Sequence, residues 1–190
     1  MILVDHQIED VVEKGILLIT PFSKDNVNPN SYDITLDDKF IWYTNAGLGN
    51  SLYIDPYDEQ TIEQCIKKEE SKFIVIKQGE FILAQTKELF EFPPTIAAIL
   101  MGKSSLARLG ITIHQTGGFI DAGFRGTLTL EIGNINPRPV MLYSGMQIGQ
   151  LVFHKLDDIP NRPYNEKSTS KYQDQYGPTL SRYYQNVRNR

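Results

Sequence analysis

The chain has 190 residues, a length that suits one domain with at most small extensions. Hydrophobic residues make up 41% of it and charged residues 22%, close to the average of globular proteins, which excludes wholesale disorder. Its apolar runs are all shorter than the roughly 18 residues that a membrane-spanning helix needs. It has one cysteine, Cys65, and its first residues lack the basic region of a secretory signal. We therefore expect a soluble, cytoplasmic protein without a membrane partner, an intramolecular disulfide or a Cys-built zinc site.

The charge balance argues against a nucleic-acid partner. The 19 Lys and Arg against 23 Asp and Glu give a net charge of −4, whereas proteins that bind duplexes are normally basic. The charge is nevertheless uneven, because acids predominate between Asp55 and Glu70 and bases predominate from Pro160 onward. A basic tail on an acidic body suggests a local anion site. The alternative is a solvated, frayed terminus.

The first predicted element is a helix. Asp5 can cap its start, and Ile8, Val11 and Val12 give an apolar face at helical spacing. Gly15 can end it.

The rest of the chain is typical of short β-strands separated by turn residues. Residues 31–36 alternate as a half-buried strand does. Two apolar runs at 73–76 and 81–84 flank a turn signal at Gln78-Gly79 and indicate a hairpin. Further strands are predicted at 95–101, 111–114, 127–132, 140–143 and 148–154. About ten short strands with one or two small helices favour a mainly β sandwich or barrel.

A short helix is predicted directly after an apolar strand, and its sequence is Lys103-Ser104-Ser105-Leu106-Ala107-Arg108-Leu109-Gly110. Helical spacing would turn Leu106 and Leu109 inward and place Ser104 and Arg108 on a common face. The free N–H groups of the helix start, beside Lys103, favour a phosphate or another anion. A capped surface helix with a solvated arginine is the alternative.

The segment at 127–132 has a period of two, with three apolar and three polar positions: Leu128, Leu130 and Ile132 against Thr127, Thr129 and Glu131. A single carboxylate in such a strand is either exposed or committed to a site. If Arg108 approaches Glu131, the pair could hold a water molecule and shuttle protons. A plain solvent-facing glutamate is the alternative.

The segment between these two motifs is rich in glycine. Gly117-Gly118 permits a close approach of the backbone to a ligand. Asp121 lies just before a tight turn, where it is either functional or a turn-capping aspartate. Known zinc nucleobase deaminases need an H-x-E and a P-C-x-x-C motif, and the chain has neither.

The helix at 103–110, the glycine-rich segment at 114–124 and the strand at 128–131 together resemble the dCTP deaminase family of the trimeric dUTPase superfamily. The likeness extends over nearly the whole chain. The other stretches that carry it are Asp5-His6-Gln7-Ile8, Ser31-Tyr32-Asp33, Gly79-Glu80-Phe81, Gly149-Gln150-Leu151 and the tail at 170–179.

The resemblance implies a mainly β fold, a distorted β-barrel or jelly roll of the dUTPase type. That domain would span residues 1–160, with a short N-terminal helix and one small internal helix. Residues 161–190 would form a tail that closes over the nucleotide. A homotrimer with active sites at the subunit interfaces is also implied.

The resemblance further implies a hydrolytic deamination of dCTP at C4 of cytosine without zinc. Glu131 would be the general base and acid, which takes a proton from water and delivers protons to the ring and to the leaving ammonia. Ser104 and Arg108 would orient that water and Glu131, with help from the backbone near Thr116 and Gly117.

The resemblance also implies which residues bind each part of the nucleotide. They are Lys103, Ser104, Ser105, Leu106, Ala107 and Arg108 at the triphosphate; Asp121 at the deoxyribose 3′-hydroxyl; Thr129, Leu130 and Glu131 at the base; and Gln150, Tyr164, Lys171 and Gln175 in closing over it. Mg²⁺ would be bound through the phosphates, which suits a hard ion with oxygen ligands. Feedback inhibition by dTTP is a further expectation.

The family has two branches, of which one releases dUTP and the other also hydrolyses the triphosphate to dUMP and diphosphate. Residues 114–121 and the tail resemble the dUMP-forming branch, in which the residue at position 118 is small. Asp121 would then also position the water that attacks the α-phosphorus. Two residues depart from the family pattern: Gly117 stands where Ala is usual, and Lys103 stands where Arg is frequent.

Three alternatives stay open: a deaminase that releases dUTP, a dUTPase, and a nucleotide-binding regulator on the same scaffold. The presence of Ser104, Arg108 and Glu131 argues against the regulator, because mere binding does not require a proton shuttle.

Overall fold

A computed structural model describes residues 1–44 and 53–189 of the chain. In that part the helices are α1 (Asp5–Glu13), α2 (Glu59–Glu63) and α3 (Ser104–Ala107), with 3₁₀ turns at Lys24–Asn26 and Tyr183–Asn189. The strands are β1 (Leu18–Thr20), β2 (Val27–Asn28), β3 (Ser31–Thr35), β4 (Lys39–Tyr43), β5 (Ile66–Glu70), β6 (Phe73–Ile76), β7 (Phe81–Glu91), β8 (Ile96–Gly102), β9 (Ile111–Thr112), β10 (Phe119–Ile120), β11 (Arg125–Asn134), β12 (Val140–Tyr143) and β13 (Gln147–Lys155). None of the helices in these ranges has the length and apolarity that a membrane crossing requires.

The strands form two large sheets and one small one, and all the strand pairs are antiparallel. One sheet has the order β5-β4-β7-β11-β9, with β1 also on β7, and the second has the order β10-β8-β13-β3-β2. The third is the pair β12-β6. The mainly β prediction is confirmed. The described sheets keep separate edge strands and do not close into a barrel.

Both large sheets contribute to one hydrophobic core. Its buried side chains include Ile82 and Leu130 from the first sheet and Ile34, Leu151 and Phe153 from the second. Each sheet therefore covers the apolar face of the other, and this burial is the main favourable term in folding.

Helix α1 lies at the predicted place, but its cap differs. Val4 is the N-cap residue, and its N–H donates to the Gln7 side chain at 3.1 Å. The Asp5 carboxylate instead accepts the N–H of His6. Ile8 is fully buried, as predicted, and Gly15 follows the helix with a φ of +66°.

The predicted hairpin of residues 73–76 and 81–84 is wrong. β6 pairs with β12, where Ile76 is opposite Val140, whereas β7 pairs with β4 and β11 in the large sheet. β6 exposes alternate residues, including Phe73 at 50%. β7 is buried on both faces over most of its length, which requires a central position in a sheet. The turn at Gly79 therefore passes the chain from one sheet to another.

Helix α3 is shorter than the predicted segment. Leu106 packs in the core, as predicted, but Leu109 is 48% exposed. The helix has one turn and ends at Ala107, with Arg108 as its C-cap residue, so Leu109 lies beyond the helical spacing that would have turned it inward.

The pairing of β7 with β11 is irregular at one point, where residues 86–88 lie opposite the single residue Leu128. The Thr86 hydroxyl accepts the Leu128 N–H at 2.9 Å and donates to the Glu88 carbonyl at 2.8 Å. The Glu88 side chain accepts the N–H of Thr35 at 2.9 Å, and the residue is 2% exposed. Burial raises the pKa of the Glu88 carboxyl, and the hydrogen bonds from Thr35 oppose this only in part.

The raised pKa of Glu88 predicts a pH dependence of stability. The folded state holds the proton more tightly than the unfolded state, so the free energy of unfolding falls as pH rises from the ordinary glutamate range through the raised pKa. We expect Glu88→Gln, which keeps an acceptor for Thr35, to reduce this fall. Urea unfolding between about pH 4 and pH 8 measures it. Glu91→Gln, at the exposed end of the same strand, is the control, and equal slopes for the two variants would contradict the prediction.

Candidate active site

A cavity of about 520 Å³ is lined by both large sheets and by the C-terminal segment, which we define as residues 161–189. Its apolar walls include Phe81, Leu83 and Leu100. Its polar lining residues are Asp121, Thr129, Glu131, Gln175, Thr179 and Ser181, with Tyr43, Tyr164 and Tyr172 beside them. An apolar cavity with a few convergent polar groups is typical of a small-molecule site.

The Glu131 carboxylate lies half-buried in this cavity. One oxygen, Oε2, accepts the N–H of Gln115 at 2.9 Å, and the Glu131 N–H donates to the carbonyl of Ile113, also at 2.9 Å. The loop after β9 therefore fixes both the backbone and the side chain of Glu131. The alternative of a plain solvent-facing glutamate does not describe this residue.

Alternation along β11 explains why Glu131 reaches the cavity. The predicted apolar positions are all buried: Leu128, Leu130 and Ile132. Thr129 and Glu131 are half-buried in the cavity wall, as expected for the opposite face. Thr127, the third predicted polar position, is instead buried, with 7% exposure, and its hydroxyl donates to the Gln85 side chain at 2.9 Å.

The two glycines beside Glu131 have different amounts of room. A Cβ on Gly117 would lie 3.5 Å from Glu131 Oε1, an ordinary contact, so the alanine that is usual at this position would fit here as well. A Cβ on Gly118 would lie 3.1 Å from the Leu100 carbonyl oxygen and 3.3 Å from the His114 ring. A bulky side chain at position 118 would therefore require the neighbouring backbone to move.

Asp121 follows β10 and lies at the rim of the cavity, where it is exposed. Its carbonyl accepts the N–H of Phe124 at 3.2 Å, and Gly123 takes a φ of +86°, so the predicted tight turn is confirmed. The Tyr164 N–H donates to the Ala122 carbonyl at 2.9 Å, which attaches the C-terminal segment to the same turn.

Tyr164 forms part of the cavity wall. Its ring packs edge-on against Phe124, with 5.8 Å between the ring centroids. Its hydroxyl accepts the N–H of Tyr172 at 3.1 Å, and burial raises its pKa.

Gln175 binds the C-terminal segment to β11. Its Nε2 donates to the Thr127 carbonyl at 2.8 Å, and its own carbonyl accepts the Thr127 N–H at 3.0 Å. Gly126 forms a parallel bridge with Gln175, and a Cβ on this glycine would lie 2.7 Å from the Gln175 carbonyl oxygen. Asp174 pairs with Arg125 next to this bridge.

The segment continues along the cavity beyond Gln175. The Thr179 N–H donates to the Thr129 hydroxyl at 3.1 Å. Lys171 does not line the cavity, since its ammonium lies 5.5 Å from the centroid of the Tyr183 ring and its carbonyl accepts a hydrogen bond from Arg182.

A second group of predicted residues lies outside this cavity. None of Lys103, Ser104, Ser105, Leu106, Ala107 and Arg108 lines it. Ser104 and Arg108 are exposed, as the predicted common face requires, and Leu106 is in the core. Lys103 pairs with Asp33, with 2.5 Å between Nζ and Oδ2.

Gln150 and Leu130 also contribute no side chain to the cavity wall. The Gln150 side-chain oxygen accepts the Ser31 hydroxyl at 2.8 Å. The Leu130 side chain is fully buried in the core, so only its backbone remains for contact with a ligand. A single chain thus brings together five of the predicted site residues: Asp121, Thr129, Glu131, Tyr164 and Gln175.

Sequence reasoning missed Tyr43 and the N–H of Gln115. The Tyr43 ring stacks on Phe81 at 5.7 Å in the cavity wall, and burial raises its pKa, with the charge of Glu131 as a smaller contribution. Nothing in the local pattern identified Tyr43, because β4 itself was not predicted.

Within residues 1–44 and 53–189, no group of three or more His, Cys, Asp or Glu side chains is placed to hold a metal ion.

Comparison with known proteins gives consistent similarities. The profile of a family described as dCTP deaminase-like matches residues 2–156. A protein of Methanoculleus marisnigri named dCTP deaminase, dUMP-forming, is 50% identical over 99% of this chain and 98% of its own length. One of the same name from Mycobacterium tuberculosis is 41% identical over 98% and 97%. A crystal structure of 2′-deoxycytidine 5′-triphosphate deaminase from Agrobacterium tumefaciens is 25% identical with a TM-score of 0.61, over 80% of this chain and 46% of that one.

The contact of Gly126 with Gln175 predicts that Gly126→Ala displaces the C-terminal segment. Limited trypsin digestion should cut that segment faster in this variant than in the unmodified chain. Gly145→Ala is the control, because Gly145 also has a positive φ, of +88°, but a Cβ there would meet nothing within 4 Å. The prediction is wrong if trypsin cuts the segment no faster in Gly126→Ala than in Gly145→Ala.

Proposed function

The chain belongs to the dCTP deaminase-like family, and on that premise we propose that it hydrolyses dCTP to dUMP, ammonia and diphosphate. The observation that carries this proposal is the Glu131 carboxylate, which is half-buried in the cavity and held by the N–H of Gln115. The relatives named dCTP deaminase, dUMP-forming, at 40–50% identity over nearly the whole chain support the same substrate and product.

Glu131 acts as general base and general acid in the proposed mechanism. It takes a proton from a water molecule as the water oxygen bonds to C4 of cytosine, and it delivers that proton to N3 of the ring. Transfer of the remaining hydroxyl proton to the amino group lets ammonia leave and forms the C4 carbonyl of uracil. One carboxylate suffices for these steps when it can both accept and donate a proton in a site that excludes water.

Ser104 and Arg108 complete this site from a neighbouring copy of the chain. They are exposed on α3 and do not line the cavity of their own chain, whereas orienting the water needs them within hydrogen-bond reach of Glu131. Leu109 and Ile135, which are 48% and 75% exposed, lie near the same end of α3, as the hydrogen bond from the Ile135 N–H to the Gly110 carbonyl shows. Apolar side chains beside polar ones are typical of an interface. We therefore propose that copies of the chain associate with shared sites, as the homotrimer that the family resemblance implies.

The nucleotide is proposed to extend from this cavity to the start of α3. Asp121 at the rim would contact the 3′-hydroxyl of the deoxyribose, and Thr129 with the Leu130 backbone would contact the base. Residues 103–108 would bind the triphosphate, with Gln150 beside them. The C-terminal segment would act as a lid through Tyr164, Lys171 and Gln175.

Mg²⁺ is proposed to arrive with the phosphates. The described side chains offer no cluster of three acidic or histidine ligands, which fits an ion that takes its oxygens from phosphate and water. When bound, it would neutralise phosphate charge. We also propose dTTP as a feedback inhibitor, because it shares the triphosphate and deoxyribose.

Assignment to the dUMP-forming branch requires a second reaction, the hydrolysis of the triphosphate. Asp121 is proposed to position the water that attacks the α-phosphorus. The little room at Gly118 supports this branch, because it fits a small residue at that position.

Glu131→Gln should still bind dCTP but release no ammonia, since the amide cannot take a proton from water. The measurement is ammonia release with dCTP and Mg²⁺, with binding followed by calorimetry. Glu70→Gln, at an exposed position of β5, is the control and should behave as the unmodified enzyme. Normal ammonia release by Glu131→Gln would remove this residue from the mechanism.

Product separation with the unmodified enzyme tests the branch. We expect dUMP and diphosphate, whereas dUTP without diphosphate would show that the triphosphate is not hydrolysed.

A shared site predicts that two inactive variants restore activity when mixed. Arg108→Ala and Glu131→Gln subunits, unfolded and refolded together in equal amounts, should regain about a quarter of the normal ammonia release, because a quarter of the interfaces then combine two intact residues. Each variant refolded alone is the control. No recovery in mixed trimers would place both residues of a site in the same chain.

A further inference from the structure

Asp33 is a buried acid that the mechanism above does not use. Its side chain is 5% exposed on β3. One of its oxygens, Oδ1, is buried and has no hydrogen-bond partner in the part of the chain that the structure describes. The other, Oδ2, lies 2.5 Å from Nζ of Lys103. A buried carboxylate is costly unless it is paired, so Lys103 is the group that compensates this charge.

The five-stranded sheet creates this pair. β13 lies between β3 and β8, so that Gln150 is opposite Asp33 on one side and opposite Met101 on the other. Lys103 lies two residues beyond Met101 and is the N-cap residue of α3. Residues 33, 101 and 150 thus form one row across three strands, and Lys103 begins the exposed helix at the end of it.

A lysine at this position needs such a partner in order to point in one direction. Its ammonium is a point charge on a flexible four-carbon stem, unlike the planar fork of the arginine that is frequent here. Lys103 is 27% exposed, so part of its side chain is open to solvent. An ammonium has three N–H donors, and Asp33 occupies one of them, which leaves two for a ligand.

We propose that Asp33 is a positioning residue for phosphate binding: it holds the Lys103 ammonium at the start of α3, where its remaining N–H groups meet the triphosphate of dCTP. This inference rests on the proposed function, which assigns the triphosphate to residues 103–108. Simple charge attraction predicts the opposite effect of removing Asp33, because the loss of a negative charge would strengthen the binding of an anion.

The first test measures the pair without any nucleotide. Asp33→Asn, Lys103→Met and the double variant form a thermodynamic cycle in urea unfolding. We expect the double variant to be destabilised less than the sum of the single variants, since Lys103→Met alone leaves the Asp33 charge buried and unpaired. The matched control is the cycle of Asp38→Asn and Lys72→Met, a second Asp–Lys pair at 3.1 Å whose lysine is 86% exposed. That cycle should be nearly additive. Additive effects at Asp33 and Lys103 would overturn the inference.

The second test measures KM and kcat for dCTP in the same variants. Asp33→Asn should raise KM about tenfold, the worth of one charge-assisted hydrogen bond, and change kcat much less. In the Lys103→Met background the same substitution should leave KM unchanged. A purely structural role would lower kcat in both backgrounds instead, and a lower KM for Asp33→Asn would support charge attraction; either result overturns the inference.

The two tests separate this inference from the proposed function. If the unmodified enzyme converts dCTP but KM shows no coupling between Asp33 and Lys103, the inference alone fails. If the unmodified protein neither binds nor converts dCTP, the proposed function fails and the positioning role fails with it, whatever the unfolding cycle shows.

Discussion

The register between β11 and β7 is the constraint on which the cavity depends. In this register Glu131 lies opposite Leu83, and Leu130 lies opposite Ala84. Because alternate side chains of a strand point to opposite faces, a slip of one residue would put the carboxylate into the core and Leu130 into the cavity. Burial of a leucine side chain is worth about 2 kcal/mol, and β11 buries two leucines and an isoleucine at alternate positions. Burial of these side chains in the core therefore fixes the register, and the register fixes the position of the Glu131 carboxylate in the cavity.

Within one chain the Glu131 carboxylate lines the cavity, whereas the two cations of α3, Lys103 and Arg108, do not. The Glu131 carboxylate is half-buried and accepts the backbone N–H of Gln115. Of these two cations, Lys103 forms an ion pair with Asp33, and Arg108 is exposed to solvent. The proposed site, which needs both a carboxylate and a guanidinium, would thus be divided between two surfaces. Association of copies is a simple way to unite them, and it would also cover Leu109 and Ile135.

The positions of several strands and the face of β11 that carries Glu131 could be predicted, whereas strand partners could not. The strand at 140–143 was predicted with its observed bounds, and the alternation at 128–132 correctly placed Glu131 opposite the core face. The hairpin at 73–84 failed because a turn signal states where the chain reverses but not which strand it then joins. The prediction that Leu109 faces inward was wrong because α3 has one turn instead of two. The ion pair of Asp33 with Lys103 could not be predicted because the two residues are 70 positions apart in the chain.

The sequence by itself determined the mainly β class, the core face of β11 and the family likeness, because periodicity and short motifs are local properties of the chain. The tertiary structure alone decided that the sheets do not close, that Tyr43 and the Gln115 N–H lie beside the carboxylate, and that Lys103 pairs with Asp33. These features depend on hydrogen bonds and burial between segments far apart in sequence. Their free energy is available only after the core has brought those segments together.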